Sequence, residues 1–244
     1  MTAKWLEGRV VENRHWTDAL FSLRVEGPRL RFEAGQFVRI AVEERIARPF
    51  SFVNPPEDPV LEFYGIVVPE GPLSPKLAEL RAGERLLVAS NPAGFLVLSE
   101  VPDAETLWLV STGTGLAPFL SILRTETPWR RFGNIVLVHA VRHARELAYR
   151  ELIGEILRTH HKGFRYVSFV SRETVRGSLT GRIPAAMRDG RLEAAAGLAL
   201  NERSHVMLCG NPEMLKDAQA ALLERGLRKH RRRNPGHITV ESFW

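Results

Sequence analysis

The sequence predicts a two-domain protein: an antiparallel β-barrel over residues 1–98, then an α/β domain with a parallel sheet over residues 99–244. Three observations predict it. Before residue 100, short runs alternate apolar and polar side chains, with turn signals between one run and the next. After Pro102 the strand-like runs are almost wholly apolar and are separated by helical patterns, as expected of parallel strands covered on both faces. The stretch 91–102, between these two regimes, is loop-like.

In the first region Phe21, Leu23 and Val25 alternate with Ser22, Arg24 and Glu26, and Val38, Ile40 and Val42 alternate with Arg39, Ala41 and Glu43. Leu61, Phe63 and Val67 share one face of a third run, and residues 85–89 form another. Glu26-Gly27-Pro28, Asn54-Pro55-Pro56, Glu70-Gly71-Pro72 and Arg81-Ala82-Gly83 supply turns. Many short strands punctuated in this way fit a small barrel. Arg48-Pro49-Phe50-Ser51 lies on a segment that reads as strand and gathers a fixed cation, an aromatic face and a hydroxyl. On a strand, Arg48 and Phe50 share a face and Ser51 points to the other. An arginine can clamp a phosphate and a ring can stack on a flat heterocycle, although alone the segment reads more simply as a half-buried strand with a surface arginine. Gly71-Pro72-Leu73-Ser74 opens a predicted helix over 75–80, with Ser74 either an N-cap or part of an anion-receiving N-terminus.

In the second region the expected parallel strands are 107–110, 135–138, 166–170 and 206–208. The first, Leu107-Trp108-Leu109-Val110, runs into Ser111-Thr112-Gly113-Thr114-Gly115 and then a helical pattern. Strand, glycine loop and helix in that order present unpaired N–H groups to a phosphate. The match to a dinucleotide fingerprint is partial, because Pro118 stands where a third glycine belongs, and a tight turn alone would explain the loop. One helix carries Leu147, Leu152, Ile153, Ile156 and Leu157 on a stripe; another starts with Asn211 as N-cap, Pro212 at its first position and Glu213 in its first turn. Arg142, Arg172 and Arg182 follow the predicted strand ends, where ligands of open α/β sheets bind, and they suit an additional phosphate.

Composition narrows the function classes. The 244 residues are 44% hydrophobic and 25% charged, ordinary for a globular protein, and the net charge of +6 favours an acidic partner. No apolar run approaches a membrane span and residues 1–20 lack an apolar signal core, so a cytoplasmic location is expected. Cys209 is the single cysteine, which leaves no internal disulfide and no cluster for iron–sulfur or zinc; no metal is expected. His139 and His143 are four apart, but the former falls on a strand, and His160-His161 reads as surface. A basic run, Arg228-Lys229-His230-Arg231-Arg232-Arg233, precedes an apolar end in Phe243-Trp244, which fits docking of the terminus onto something flat.

Together these segments, with Cys209-Gly210-Asn211-Pro212, resemble in order and spacing the ferredoxin–NADP⁺ reductases, and most the bacterial flavodoxin/ferredoxin type, whose chain ends on an aromatic pair. Trp16-Thr17-Asp18-Ala19-Leu20-Phe21-Ser22-Leu23 and Gly177-Ser178-Leu179-Thr180-Gly181-Arg182 extend the likeness over nearly the whole chain. The resemblance implies a Greek-key FAD-binding barrel in 1–98 and an NADP(H)-binding domain in 99–244. It implies hydride transfer between NADPH and flavin N5, then single electrons to an acidic ferredoxin or flavodoxin, by a monomer without nucleic-acid or membrane partners. Arg48 and Pro49 would lie at the FAD pyrophosphate, Phe50 (where the family has Tyr) against the isoalloxazine, and Ser51 near N5. Tyr64, Gly65, Ile66 and Val67 would line the flavin, and Pro72, Leu73, Ser74 and Pro75 would hold its phosphates. Thr114 would stand where flavin and nicotinamide meet, with Gly113, Gly115, Gly210, Asn211 and Pro212 along the nicotinamide nucleotide. Arg142, Arg172 and Arg182 would select the 2′-phosphate, with His143, Glu173 and Lys216 beside them. Phe243 would cover the flavin and Trp244 its adenine; Ser51, Cys209, Glu241 and Phe243 are the candidates around the reacting centre. An oxygenase reductase component or free flavin reductase could use the same two domains. A nucleic-acid binder using 228–233 would leave the Arg48 and Gly113 segments without purpose.

Overall fold

In the computed structural model, which describes residues 4–242, the first sheet contains β1 (Trp5–His15), β2 (Leu20–Glu26), β3 (Phe37–Ala41), β4 (Ala47–Ser51), β5 (Leu61–Ile66) and β6 (Arg85–Ala89). They pair antiparallel in the order β4-β3-β6-β1-β2-β5. A bridge between Phe52 and Phe63 ties the chain leaving β4 to β5, so the sheet nearly closes into a barrel. Its interior takes the alternating residues Phe21, Leu23, Val25, Val38 and Ile40, joined by Phe52, Phe63, Leu86 and Val88. Each such buried side chain contributes roughly 1.5–3 kcal/mol. The long β1 escapes the alternation rule because its register shifts between Val10 and Glu12, which breaks the period of two.

The helix predicted over 75–80 is α1 (Ser74–Glu79). Ser74 is therefore its first residue and not its N-cap, and the Ser74 hydroxyl accepts the Val68 N–H at 2.9 Å. At the other end, Asn13 Nδ2 donates to the carbonyls of Leu77, Ala78 and Leu80 at 3.2, 2.9 and 2.8 Å. His15 Nε2 lies 2.9 Å from the Ala78 carbonyl, so the end of β1 holds the last turn of α1. Residues 117–125, which a single cut near 98 would leave with the second half, make their contacts with the barrel. There α2 (Ala117–Leu123) is wholly buried. Ser121 Oγ donates to the Asn54 carbonyl at 2.7 Å, and Arg124 reaches the Val53 carbonyl and the carboxylates of Asp58 and Glu62.

The second unit comprises Leu98–Leu116 and the chain from Glu126 onward. Its sheet is parallel: β7 (Thr106–Thr112), β8 (Asn134–Val141), β9 (Phe164–Val170), β10 (Leu179–Thr180), β11 (Ser204–Gly210) and β12 (Ile238–Ser242), in the order β10-β9-β8-β7-β11-β12. The connections carry α3 (Thr127–Arg131), α4 (Arg150–Thr159), α5 (Ile183–Arg188), α6 (Arg191–Ala196) and α7 (Pro212–Glu224). Val110, Val138, Phe169 and Leu208 pack from one face of the sheet with Met187, Leu192, Leu215 and Leu222. Asn211 caps α7 as expected, its Oδ1 accepting the N–H groups of Glu213 and Met214 at 2.9 and 3.2 Å. Leu147 is not part of the α4 stripe. The chain enters that helix through Tyr149 in the left-handed region, at φ 58°, and Ile153 and Ile156 are its buried residues. His160, expected on the surface, is half-buried, its ring stacked 3.6 Å from that of Trp129.

Candidate functional site

On the barrel, β4 carries the residues Arg48, Pro49, Phe50 and Ser51. Arg48 is exposed, with Nη1 on the neighbouring Ala47 carbonyl at 2.9 Å, while Phe50 is half-buried and Ser51 is buried. Ser51 Oγ has no hydrogen-bond partner among the described residues. A buried hydroxyl left in that state costs about 1–3 kcal/mol, so it stands ready for a ligand atom. Tyr64 is buried beside Gly65 on β5. A Cβ on Gly65 would lie 2.7 Å from Phe21 Cζ and 2.9 Å from Phe50 Cε1, so only glycine lets the Phe50 ring settle there. Ile66 and Val67 continue this edge half-buried, and beyond it Pro72 is exposed, Leu73 buried and Ser74 and Pro75 half-buried.

On the α/β unit, β7 has β8 on one side and β11 on the other, so the strand order reverses at its carboxyl end. Ligands of such sheets bind outside that switch point. Gly113 takes φ +53° with open space where a Cβ would stand, and Thr114 follows it half-buried. Gly115 approaches β11 so closely that a Cβ would lie 2.5 Å from the Cys209 carbonyl oxygen. Gly210, at φ +136°, leaves room for Thr112, whose Oγ1 accepts the Asn211 N–H at 2.8 Å. The ends of β7 and β11 are thereby locked together, with Pro212 and Lys216 exposed on the first turns of α7.

Cys209 and Glu241 are neighbours in register across β11 and β12. Burial, reinforced by the Glu241 charge, pushes the Cys209 thiol well above its ordinary range, so it is a packing group at neutral pH and not a thiolate. Phe243 and Trp244 lie outside the described residues. His139 is fully buried, in register between Ser111 and Ser168, with the Gly113 backbone as the polar group against its ring. Burial holds its pKa down to about 4, so the ring is neutral under ordinary conditions.

The arginines stand beyond the strand ends: Arg142 after β8, Arg172 after β9 and Arg182 just after β10, before α5. All three are exposed, and among the described residues their guanidinium groups have no carboxylate partner. The acids beside them are engaged elsewhere. Glu146 Oε2 accepts the Arg142 N–H at 2.9 Å, and Glu173 Oε1 accepts the Ala144 N–H at 2.7 Å, 3.6 Å from His143 Nδ1. Reading the sequence missed Glu146, the third residue of a capping box whose N-cap is His143 in place of the usual Ser or Thr, and Asn13, which acts on backbone groups without a spacing motif.

A nearly closed antiparallel barrel and a parallel sheet with a glycine loop at its switch point define a nucleotide-dependent oxidoreductase. The family model described as "Oxidoreductase NAD-binding domain" matches residues 109–220. The flavodoxin/ferredoxin–NADP reductases of Shigella flexneri and Escherichia coli K12 are 52% and 51% identical over 99% of this chain and all of theirs. A solved ferredoxin NADP⁺ reductase of Neisseria gonorrhoeae, with bound FAD and NADP, matches with a TM-score of 0.93 at 33% identity, over 99% of this chain and 100% of that one. The chain belongs to the flavodoxin/ferredoxin–NADP reductase family.

Proposed function

We propose that this chain is an FAD-dependent reductase that transfers electrons between NADPH and ferredoxin or flavodoxin. The carrying observation is that one chain, related to such reductases over its full length, combines a barrel strand bearing a buried free hydroxyl with a parallel sheet bearing free guanidinium groups. The barrel fits FAD: the Ser51 hydroxyl lacks a partner, the Phe50 ring offers a half-buried face, and Arg48 supplies an exposed cation on the same strand. When bound, FAD accepts a hydride and releases electrons singly, which joins a two-electron donor to one-electron carriers.

In this reading residues 1–98 take FAD and residues 99–244 take NADP(H). Arg48, Pro49 and the 72–75 segment hold the FAD phosphates; Phe50, Tyr64, Gly65, Ile66 and Val67 flank the flavin; Ser51 meets it at a polar edge. Gly113 and Gly115 bring the loop backbone to the nicotinamide nucleotide, with Thr114 between them and Gly210, Asn211 and Pro212 opposite. Arg142, Arg172 and Arg182 take the 2′-phosphate. Cys209 and Glu241 shape the nicotinamide pocket. None of these groups must act as a strong acid or base for hydride transfer.

The carrier is an acidic protein, attracted by the net charge of +6 and by the exposed Arg231 and Arg233; Arg232 is already paired with Glu100. The enzyme works as a cytoplasmic monomer without a nucleic-acid partner. No helix among the described residues is long and apolar enough to cross a membrane. The test is direct: purified protein should be yellow, release FAD on denaturation and reduce ferredoxin or flavodoxin with NADPH. A colourless protein that cannot be reconstituted with FAD overturns the proposal.

A further inference from the structure

Two acids sit among the arginines beyond β8 and β9, and both are bound to backbone. Glu146 Oε2 accepts the N–H groups of Arg142 and His143 at 2.9 and 3.4 Å. Glu173 Oε1 accepts the Ala144 N–H at 2.7 Å. The strand ends are also joined directly, by Ser171 N–H to the Val141 carbonyl at 3.1 Å and Arg172 N–H to the Arg142 carbonyl at 2.9 Å. The turn that carries Arg142 is thus held by a carboxylate of its own and by one from the segment after β9. Both acids keep their charge but turn it toward N–H donors, and neither pairs with Arg142 or Arg172, which have no carboxylate partner among the described residues.

We propose that Glu173 is a positioning residue for 2′-phosphate recognition: by holding the Ala144 N–H it fixes the 142–146 turn against 171–173 and sets the spacing of Arg142 and Arg172. This rests on the reading of NADP(H) as the nucleotide. Two effects of the Glu173 carboxylate oppose each other. Its charge repels a phosphate dianion, but Glu173 is exposed and salt screens that repulsion. Its short charge-assisted bond to the backbone belongs to the stronger class of hydrogen bonds and preorganises the arginine pair. Positioning therefore outweighs repulsion. Glutamine keeps an acceptor oxygen for the same N–H; alanine does not.

The experiment is calorimetric titration of the purified FAD-loaded enzyme with 2′-AMP and with 5′-AMP at one ionic strength. Glu173→Ala should weaken 2′-AMP about tenfold, as loss of one charge-assisted hydrogen bond implies, and 5′-AMP less than about twofold. Glu173→Gln should stay within about threefold of the parent for both ligands, the rescue a purely electrostatic role would not give. Unchanged or tighter 2′-AMP binding by Glu173→Ala, or equal weakening of both ligands, overturns the proposal. Arg172→Ala separates the two levels. If it loses 2′-AMP while Glu173→Ala does not, only the positioning role falls; if it binds 2′-AMP normally, the phosphate reading fails and takes the positioning role with it.

Discussion

The Arg172 N–H donates to the Arg142 carbonyl at 2.9 Å, so the segments that follow β8 and β9 are coupled through backbone before any side chain is considered. The backbone alone therefore fixes the spacing of these two segments. Replacing Arg172 or Arg182 with Ala should raise KM for NADPH about tenfold or more and KM for NADH less than about twofold, each contact being a charge-assisted one. Initial rates with both nucleotides decide it. Equal changes would remove these arginines from the 2′-phosphate.

Ser51 is buried, yet its hydroxyl has no hydrogen bond among the described residues. Removing it breaks no bond inside the barrel and lifts the cost of an unpartnered buried hydroxyl, so Ser51→Ala should melt at or a few degrees above the parent. Flavin reduction by NADPH should nonetheless slow by about tenfold or more, since a polar group set at the reacting atom would be gone. Stopped-flow absorbance reads the rate. A change below about twofold would place the hydroxyl away from the flavin.

Asn13 closes the carboxyl end of α1 by donating its amide to the carbonyls of Leu77, Ala78 and Leu80. Asn13→Ala should cost about 1–2 kcal/mol in chemical unfolding. If α1 carries a phosphate-binding residue at Ser74, the loosened helix should also raise the dissociation constant for FAD, measured by flavin fluorescence. Lower stability with unchanged FAD affinity would leave Asn13 a structural group only.

What could be read from the chain depended on how local the signal is. The apolar strands at 107–110 and 135–138 stand out because burial on both faces leaves no polar positions, and Asn211-Pro212 marks a helix start by its own chemistry. The arginines were found by their place after strand ends. By contrast, β1 hides behind the register shift at Val10, and the attachment of 117–125 to the barrel depends on Ser121 reaching Asn54 and Arg124 reaching Asp58 and Glu62. Those partners are distant in sequence. Glu173 acts on an N–H group 29 residues away, which no residue pattern records, and the Glu146 capping box is masked by a histidine at its N-cap.

His139 makes acid the weak side of this fold. Its imidazole is fully buried, and burial lowers its pKa from 6.5 to about 4; His205 falls further, to about 3, through burial and then the neighbouring His230. Below pH 6.5 the unfolded chain takes up protons that the native protein refuses, so stability is fully present above that value and is lost as pH falls toward the native pKa. At about pH 4.5 His139 alone should cost on the order of 2–3 kcal/mol relative to pH 7. Urea unfolding at both pH values should show that loss in the parent and a smaller one in His139→Leu, whatever the variant's stability at pH 7. An equal loss in both proteins would assign the acid sensitivity to His205 or to the carboxylates instead.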